Sequence, residues 1–292
     1  MRNNIFYYLA PVFRITLFIF LCFVCVLPFG LVAQLGFLPM APNQLMADIS
    51  AQLSLVIVVI SASLMIFRIL SYLDFYVVFV RREGALGAFI KGTALGLIFM
   101  LLCAAVLYFN GNVSFSFKNM AVLAILLYFV YFLLIAVFEE LLFRAYPLFA
   151  CAERYPLWFA IFFNGVLFAL AHFGNPNTTA IGLLNIALAG TLFCIYTLQK
   201  KNIFWAIGIH FGWNFTQGIL LGYRVSGNEM PGVVKATPVG SAFLSGGDFG
   251  IEGSIFCTVL LIIWIAWLVY RKGLGEIEIY DPQVKYHLHE AE

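Results

Sequence analysis

The chain has 292 residues, of which 63% are hydrophobic and only 10% are charged, and its formal net charge is +2. A soluble domain carries roughly 25% charged residues, and a chain of this length still has a large surface to cover. The composition therefore excludes an ordinary soluble domain and favours an integral protein of the lipid bilayer. The small and scattered positive charge argues against a nucleic-acid partner.

Apolar segments long enough to cross a membrane recur along the whole chain. About 20 residues are needed to span roughly 30 Å of hydrocarbon. The pattern predicts an all-α, polytopic transmembrane bundle of about eight spans, at residues 10–34, 50–70, 86–108, 121–146, 156–173, 179–198, 203–222 and 254–271. The first segment is too long for a cleavable signal peptide, so we expect it to stay in the membrane.

The loops between these segments differ in positive charge. The side that holds both termini carries nine Lys or Arg residues: Arg2, Arg81, Arg82, Arg154, Lys200, Lys201, Arg271, Lys272 and Lys285. The opposite side carries three: Lys118, Arg224 and Lys235. Because cytoplasmic loops are enriched in Lys and Arg, we expect cytoplasmic termini and a plasma-membrane location. The longest loop, about 223–253, then lies outside, and its many glycines predict a loop at or dipping into the membrane surface.

Three polar clusters fall inside predicted spans, where ionisable side chains are costly and often functional. They read EELLFR (139–144), FALAH (168–172) and HFGWN (210–214). Residues four apart share one face of a helix. Each cluster contains one such pair: Glu140 with Arg144, Phe168 with His172, and His210 with Asn214.

Depth in the membrane links the three clusters. If the fourth and fifth spans form an antiparallel hairpin, residues equidistant from its turn lie at one height. Glu139 and His172 are symmetric about the turn-like stretch 153–156. His210 lies about nine residues, or roughly 14 Å, above Lys201, which is a similar height if the hairpin projects into the cytoplasm. The sequence therefore predicts one shared site.

A carboxylate, two imidazoles and an amide in a low-dielectric pocket suit the hydrolysis of an amide bond. Glu139 can act as a general base on water, with a neighbouring histidine sharing or relaying the proton. The second histidine and Asn214 can donate hydrogen bonds to the oxyanion of the tetrahedral intermediate. Arg144 is better placed to hold Glu140 than to touch substrate. No Ser or Cys stands in a motif with these histidines, so water is the predicted nucleophile.

Other interpretations of the same residues stay open. Glu, His, His and Asn can bind Zn²⁺ with one open position, although Asn is a poor zinc ligand. The favoured interpretation requires no cofactor. A non-catalytic membrane scaffold or regulator of the same fold is the main alternative function. A secondary transporter is less favoured. Such proteins often show inverted repeats and broken helices at the midplane, and neither feature is evident in this sequence.

The three clusters also resemble, in order, the E-E-x-x-x-R, F-x-x-x-H and H-x-x-x-N motifs of a known family. This is the CAAX protease and bacteriocin-processing (CPBP, or abortive-infection) family, which includes the type II CAAX prenyl endopeptidases. The resemblance covers about residues 120–270 and implies an all-helical intramembrane peptidase. No motif position departs from the pattern.

The resemblance also implies roles for individual residues. Glu139 and His172 match the family's water-activating pair, and His210 and Asn214 match its oxyanion hole. The other motif residues are supporting: Glu140, Arg144 and Phe168.

The chain is accordingly divided into an N-terminal region of three spans (1–119), a peptidase core (120–271) and a short cytoplasmic tail (272–292). The stretch SGGDFGIEGS (245–254) is similar to a segment that many bacterial members of the family carry before their last span. The implied substrate is a membrane-embedded or membrane-bound peptide or protein.

Overall fold

The computed structural model describes residues 5–34, 41–70 and 80–277. Most of the predicted tail lies outside the described residues, as do Arg2 and Lys285. In chain order the elements are α1 (Ile5–Gln34), α2 (Gln44–Ile69), α3 (Ala85–Phe109), β1 (Val113–Phe117), α4 (Val122–Glu140), α5 (Tyr146–Ala152), α6 (Leu157–Ala171), α7 (Ala180–Lys200), α8 (Phe204–Phe215), β2 (Val234–Pro238), α9 (Ala242–Ser245) and α10 (Ile255–Lys272). Two π-helical turns, Leu141–Ala145 and Thr216–Leu220, and two 3-10 turns, Gly247–Phe249 and Ile251–Gly253, complete the list.

The predicted all-α, polytopic membrane bundle is confirmed. Six helical segments are long and apolar enough to cross a membrane: α1, α2, α3, the continuous rod formed by α4 and α5, α7 and α10. Two further apolar helices, α6 and α8, are shorter, with 15 and 12 residues. Helix therefore occurs in each of the eight predicted segments, while the count of eight complete spans stays a prediction. The division into three regions also stays a prediction.

The sequence analysis did not predict the two-stranded antiparallel ribbon. Strand β1 pairs with β2 along their whole length, with Val113 opposite Pro238 and Phe117 opposite Val234. Each strand has five residues, which is too short for alternation to stand out in an apolar sequence. The ribbon joins the connection after α3 to the long loop, residues 221–254, that leads into α10.

The backbones of α8 and α3 are in close contact. A Cβ atom added to Gly96 of α3 would lie 2.2 Å from the carbonyl oxygen of Ile209. One added to Gly208 of α8 would lie 2.3 Å from the carbonyl oxygen of Phe89. Small residues allow such close helix packing in membranes, where van der Waals contact is a main source of association. This contact fixes the position of α8, which carries the third polar cluster.

The loops gather at two opposite ends of the bundle. At one end, which we call the basic end, three hydrogen bonds tie the loops together: Arg14 to Glu153, Asn202 to the Glu83 carbonyl, and Gln199 to the Gly273 carbonyl. At the other end, which we call the ribbon end, lie β1, β2, residues 173–179 and the long loop. Asn175 donates to the carbonyl of Ser226 across this end, at 3.1 Å. Of the basic residues that the charge analysis grouped together, the described ones therefore lie at the same end.

Candidate active site

An irregular turn follows Glu139 and Glu140 in the α4–α5 rod. Pro147 has no backbone N–H, so it cannot bond the carbonyl one turn earlier, that of Phe143. Asn164 of α6 donates to this carbonyl instead, at 2.6 Å. The π-helical turn of residues 141–145 accommodates the change, and the Asn164 bond ties the rod to α6, which leads directly into His172.

Glu139 faces both intramembrane histidines. Its Oε2 atom lies 3.7 Å from Nε2 of His172 and 3.9 Å from Nε2 of His210. This oxygen is buried and makes no hydrogen bond to any described residue. The distances are too long for direct hydrogen bonds and suit a bridging water. The structure thus brings together the three residues that the depth argument placed at one height.

The orientation of His172 follows from its other ring nitrogen. Nδ1 lies 2.8 Å from the carbonyl oxygen of Phe168, and since a carbonyl only accepts, Nδ1 must donate. In the neutral ring, Nε2 then carries the lone pair and points toward Glu139. The Phe168 ring also packs edge-on against His172, with ring centroids 4.7 Å apart.

A buried chain of charged groups holds His210. Its Nδ1 lies 2.9 Å from Oε1 of Glu140, and Nη1 of Arg144 lies 3.2 Å from the same oxygen. The side chains of Glu140 and Arg144 are both 0% exposed. The Arg144 guanidinium lies 4.0 Å above the Phe168 ring, and Phe193 stacks on His210 with centroids 5.2 Å apart. This packing leaves His210 one orientation, with Nε2 toward Glu139.

Two adjoining cavities meet at the histidines. A narrow cavity of about 30 Å³ is lined by His172, His210 and Asn214, among others. That volume holds one water or one oxygen atom of a substrate. A wide cavity of about 490 Å³ lies on the other side and is lined by Glu139, His172 and Asn214. His172 and Asn214 border both cavities, so a group in the wide cavity can reach into the narrow one.

Glu252, in the long loop, is a site residue to which the sequence analysis assigned no role. It is 4% exposed and lines the narrow cavity. Its carboxylate accepts hydrogen bonds from the backbone N–H of Ser226 and from Nε1 of Trp213, the latter at 3.1 Å. Burial raises the pKa of the Glu252 carboxyl, while these two hydrogen bonds and nearby His172 oppose the shift.

Asn185 of α7 fixes the backbone around Glu252. Its Nδ2 donates to the carbonyls of Glu252 and Ser254, at 2.8 and 3.0 Å. The segment that the sequence analysis compared with bacterial relatives is therefore folded into the bundle beside the histidines. An acidic residue in a glycine-rich loop directly before a span was the signal for it, but its burial depends on contacts with α7 and α8.

A metal-binding version of the site would use the same histidines and Glu139. Each histidine points Nε2 toward Glu139 and has its Nδ1 bonded to an oxygen, an arrangement that also occurs around zinc. No group of three or more His, Cys, Asp or Glu side chains in the described part of the chain meets the geometry of a metal site.

Part of the chain matches a known protein family. Residues 121–216, about a third of the chain, match the family model described as type II CAAX prenyl endopeptidase Rce1-like. The matched region runs from the start of α4 to the end of α8 and contains all three polar clusters. This part of the chain is related to the CAAX protease family. This relationship supports a CAAX-type intramembrane endopeptidase, and no curated protein and no solved structure matches the chain.

Loss of the Glu252 carboxylate should destabilise the fold. We expect Glu252→Ala to lower the free energy of unfolding by about 2 kcal/mol or more, because it leaves two buried N–H donors unpaired and opens a cavity. Glu252→Gln should restore part of the loss, since its amide oxygen accepts one bond. Thermal unfolding in detergent measures this. Asp248→Ala is the control, because the Asp248 side chain is 73% exposed; a Glu252→Ala variant as stable as this control would contradict the assignment.

Proposed function

We propose that the protein is an intramembrane endopeptidase that hydrolyses a membrane-associated peptide or protein with water activated by Glu139 and His172. The observation that carries the proposal is the convergence of Glu139 Oε2 with Nε2 of both histidines, at 3.7 and 3.9 Å, between two cavities. If these residues served only in packing, Oε2 of Glu139 and Nε2 of the two histidines would be expected to hydrogen-bond directly. They instead face a cavity at distances too long for direct bonds. The family relationship supports the same activity.

The proposed reaction begins with a water held between Glu139 and His172. As its oxygen bonds to the carbonyl carbon of a peptide in the wide cavity, its proton passes to the Glu139 carboxylate. The carbonyl oxygen becomes an oxyanion directed into the narrow cavity. When the intermediate collapses, the C–N bond breaks and the leaving nitrogen takes the proton from Glu139.

Asn214 and His210 are proposed as donors to the oxyanion. Asn214 is 9% exposed and lines both cavities, so its amide can reach the carbonyl oxygen of a bound peptide. His210 can donate from Nε2 only as an imidazolium, because Nδ1 already donates to Glu140. The Glu140 carboxylate, 2.9 Å away, compensates that positive charge. Donors held in place before the reaction stabilise the developing charge without reorganisation.

The metal-dependent alternative gives the same residues another role, that of metal ligands. It would use Glu139, His172, His210 and Asn214 as ligands of a Zn²⁺ ion, which would supply Lewis acidity toward water and the substrate carbonyl. In the described part of the chain the carboxylate and the two histidines do not have the geometry of a metal site. The proposed mechanism requires no cofactor. We further propose that the chain lies in the plasma membrane with both termini in the cytoplasm. The nine-to-three difference in basic residues between the two sides supports this orientation.

Removal of the proposed base should abolish cleavage. We expect Glu139→Gln to reduce the rate by about a hundredfold or more, because the amide cannot accept the proton from water. Cleavage of a quenched fluorescent membrane-peptide library by purified protein measures the effect. Glu276→Gln, an exposed site at the basic end, is the control. A Glu139→Gln protein that is monodisperse and cleaves at the wild-type rate would refute Glu139 as the base.

Asn214 should act on turnover rather than on binding. We expect Asn214→Ala to lower kcat by about a hundredfold with little change in KM, because an oxyanion donor bonds most strongly in the transition state. Steady-state cleavage of a single peptide from the library separates the two constants. Asn110→Ala, outside both cavities, serves as the control. A raised KM with unchanged kcat would instead make Asn214 a substrate-positioning residue.

A further inference from the structure

The first observation on substrate entry is that the two helices that position the histidines, α6 and α8, are short. Helix α6 has 15 residues, or about 22 Å, against the roughly 30 Å of a hydrocarbon core. It begins at the basic end and stops at Ala171, directly before His172. Helix α8 also begins at the basic end, and its π-helical extension stops at Leu220. The space beyond these helix ends faces the ribbon end.

Apolar packing closes the opposite direction. Between the histidines and the basic end lie α5, all seven residues of which are buried, and the buried last turns of α7. Helix α7 also packs against α8. Six residues of α5, the last turns of α7 and the start of α8 are 0% exposed: Leu148, Ala150, Cys194, Leu198, Ile203 and Ala206. A protein interior packed to this degree leaves no path for a peptide.

The lining of the wide cavity shows where it opens. Asp48 and Gln52 line it from the first three turns of α2, which begins at the ribbon end. Asn228 and Glu229 line it from the long loop, and both are exposed. Carboxylates of Asp48, Glu139 and Glu229 border the cavity, and no Lys or Arg of the described chain does. The mouth is therefore at the ribbon end, and it is acidic.

We propose that the substrate enters the catalytic cavity from the ribbon end, on the non-cytoplasmic side of the membrane. This inference rests on the proposed function. The side follows from the basic loops, which lie at the opposite end and are expected in the cytoplasm. The substrate class is thereby a peptide or protein segment that is exposed on, or reaches the membrane from, the non-cytoplasmic face. The acidic mouth fits a segment that is neutral or basic where it enters.

Chemical labelling of single added cysteines tests the direction of entry. Ala171→Cys places a thiol in the wide cavity beside His172, and Arg82→Cys places one at the basic end. A membrane-impermeant, cationic methanethiosulfonate is added to right-side-out and to inverted vesicles of the expression host, with the unmodified chain as background for its six native cysteines. Asn228→Cys, at the mouth, is the second cavity probe if Ala171→Cys does not fold.

The expected result is that the cavity probe reacts in right-side-out vesicles and Arg82→Cys in inverted ones. The cationic reagent should also react about tenfold faster with the cavity probe than its anionic analogue does, because acidic clefts concentrate cations. Reaction of the cavity probe in inverted vesicles, or of both probes from the same side, would overturn the proposal. Labelling needs no catalysis, so absence of peptide cleavage would count against the proposed function and not against the entry side.

Discussion

A buried ion pair inside a membrane protein is costly unless each charge is neutralised and hydrogen-bonded. Glu140 and Arg144, both 0% exposed, neutralise each other through their 3.2 Å contact, and Oε1 of Glu140 also accepts the bond from His210. Oε2 of Glu140 and two guanidinium nitrogens of Arg144 are buried without a hydrogen bond to any described residue. Arg144 also lies 4.0 Å from the Phe168 ring, and the Phe168 carbonyl holds His172. One buried cation thus contributes to the position of both histidine rings. If either member of the pair were lost, the other would remain as an uncompensated buried charge. The positions of the two histidines around Glu139 therefore depend on the intact pair.

Each of the three helices that position the proposed catalytic residues departs from regular α geometry next to those residues. A π-helical turn starts directly after Glu140, α6 ends directly before His172, and a second π-helical turn starts two residues after Asn214. In a membrane, irregular backbone is tolerated only where it is buried in protein or lines a cavity, and π-helical turns are frequent at functional sites. The long loop supplies that burial here, with Glu252 bonded to Ser226 and Trp213. The same irregularities that shape the site also direct its opening toward the ribbon end.

Local and near-local patterns in the sequence accounted for much of this architecture. Hydropathy predicted the helices, and four-residue spacing predicted the Glu140–Arg144 pair. Symmetry about a turn predicted that Glu139 and His172 lie at the same depth in the membrane, close to each other. Features that depend on distant contacts were not predictable in this way. The ribbon pairs two five-residue strands more than a hundred residues apart, and Glu252 is buried only because the long loop packs onto α7 and α8. No pattern within either segment encodes its partner.

The central claim is that carboxylate-activated water, without a metal, cleaves the peptide bond. The most direct test measures the zinc content and the cleavage rate of one purified wild-type sample before and after prolonged treatment with a strong chelator. The mechanism predicts that the rate stays unchanged and that zinc is present at far less than one ion per chain. A rate that falls with the loss of one zinc per chain, and returns when zinc is added, would contradict it.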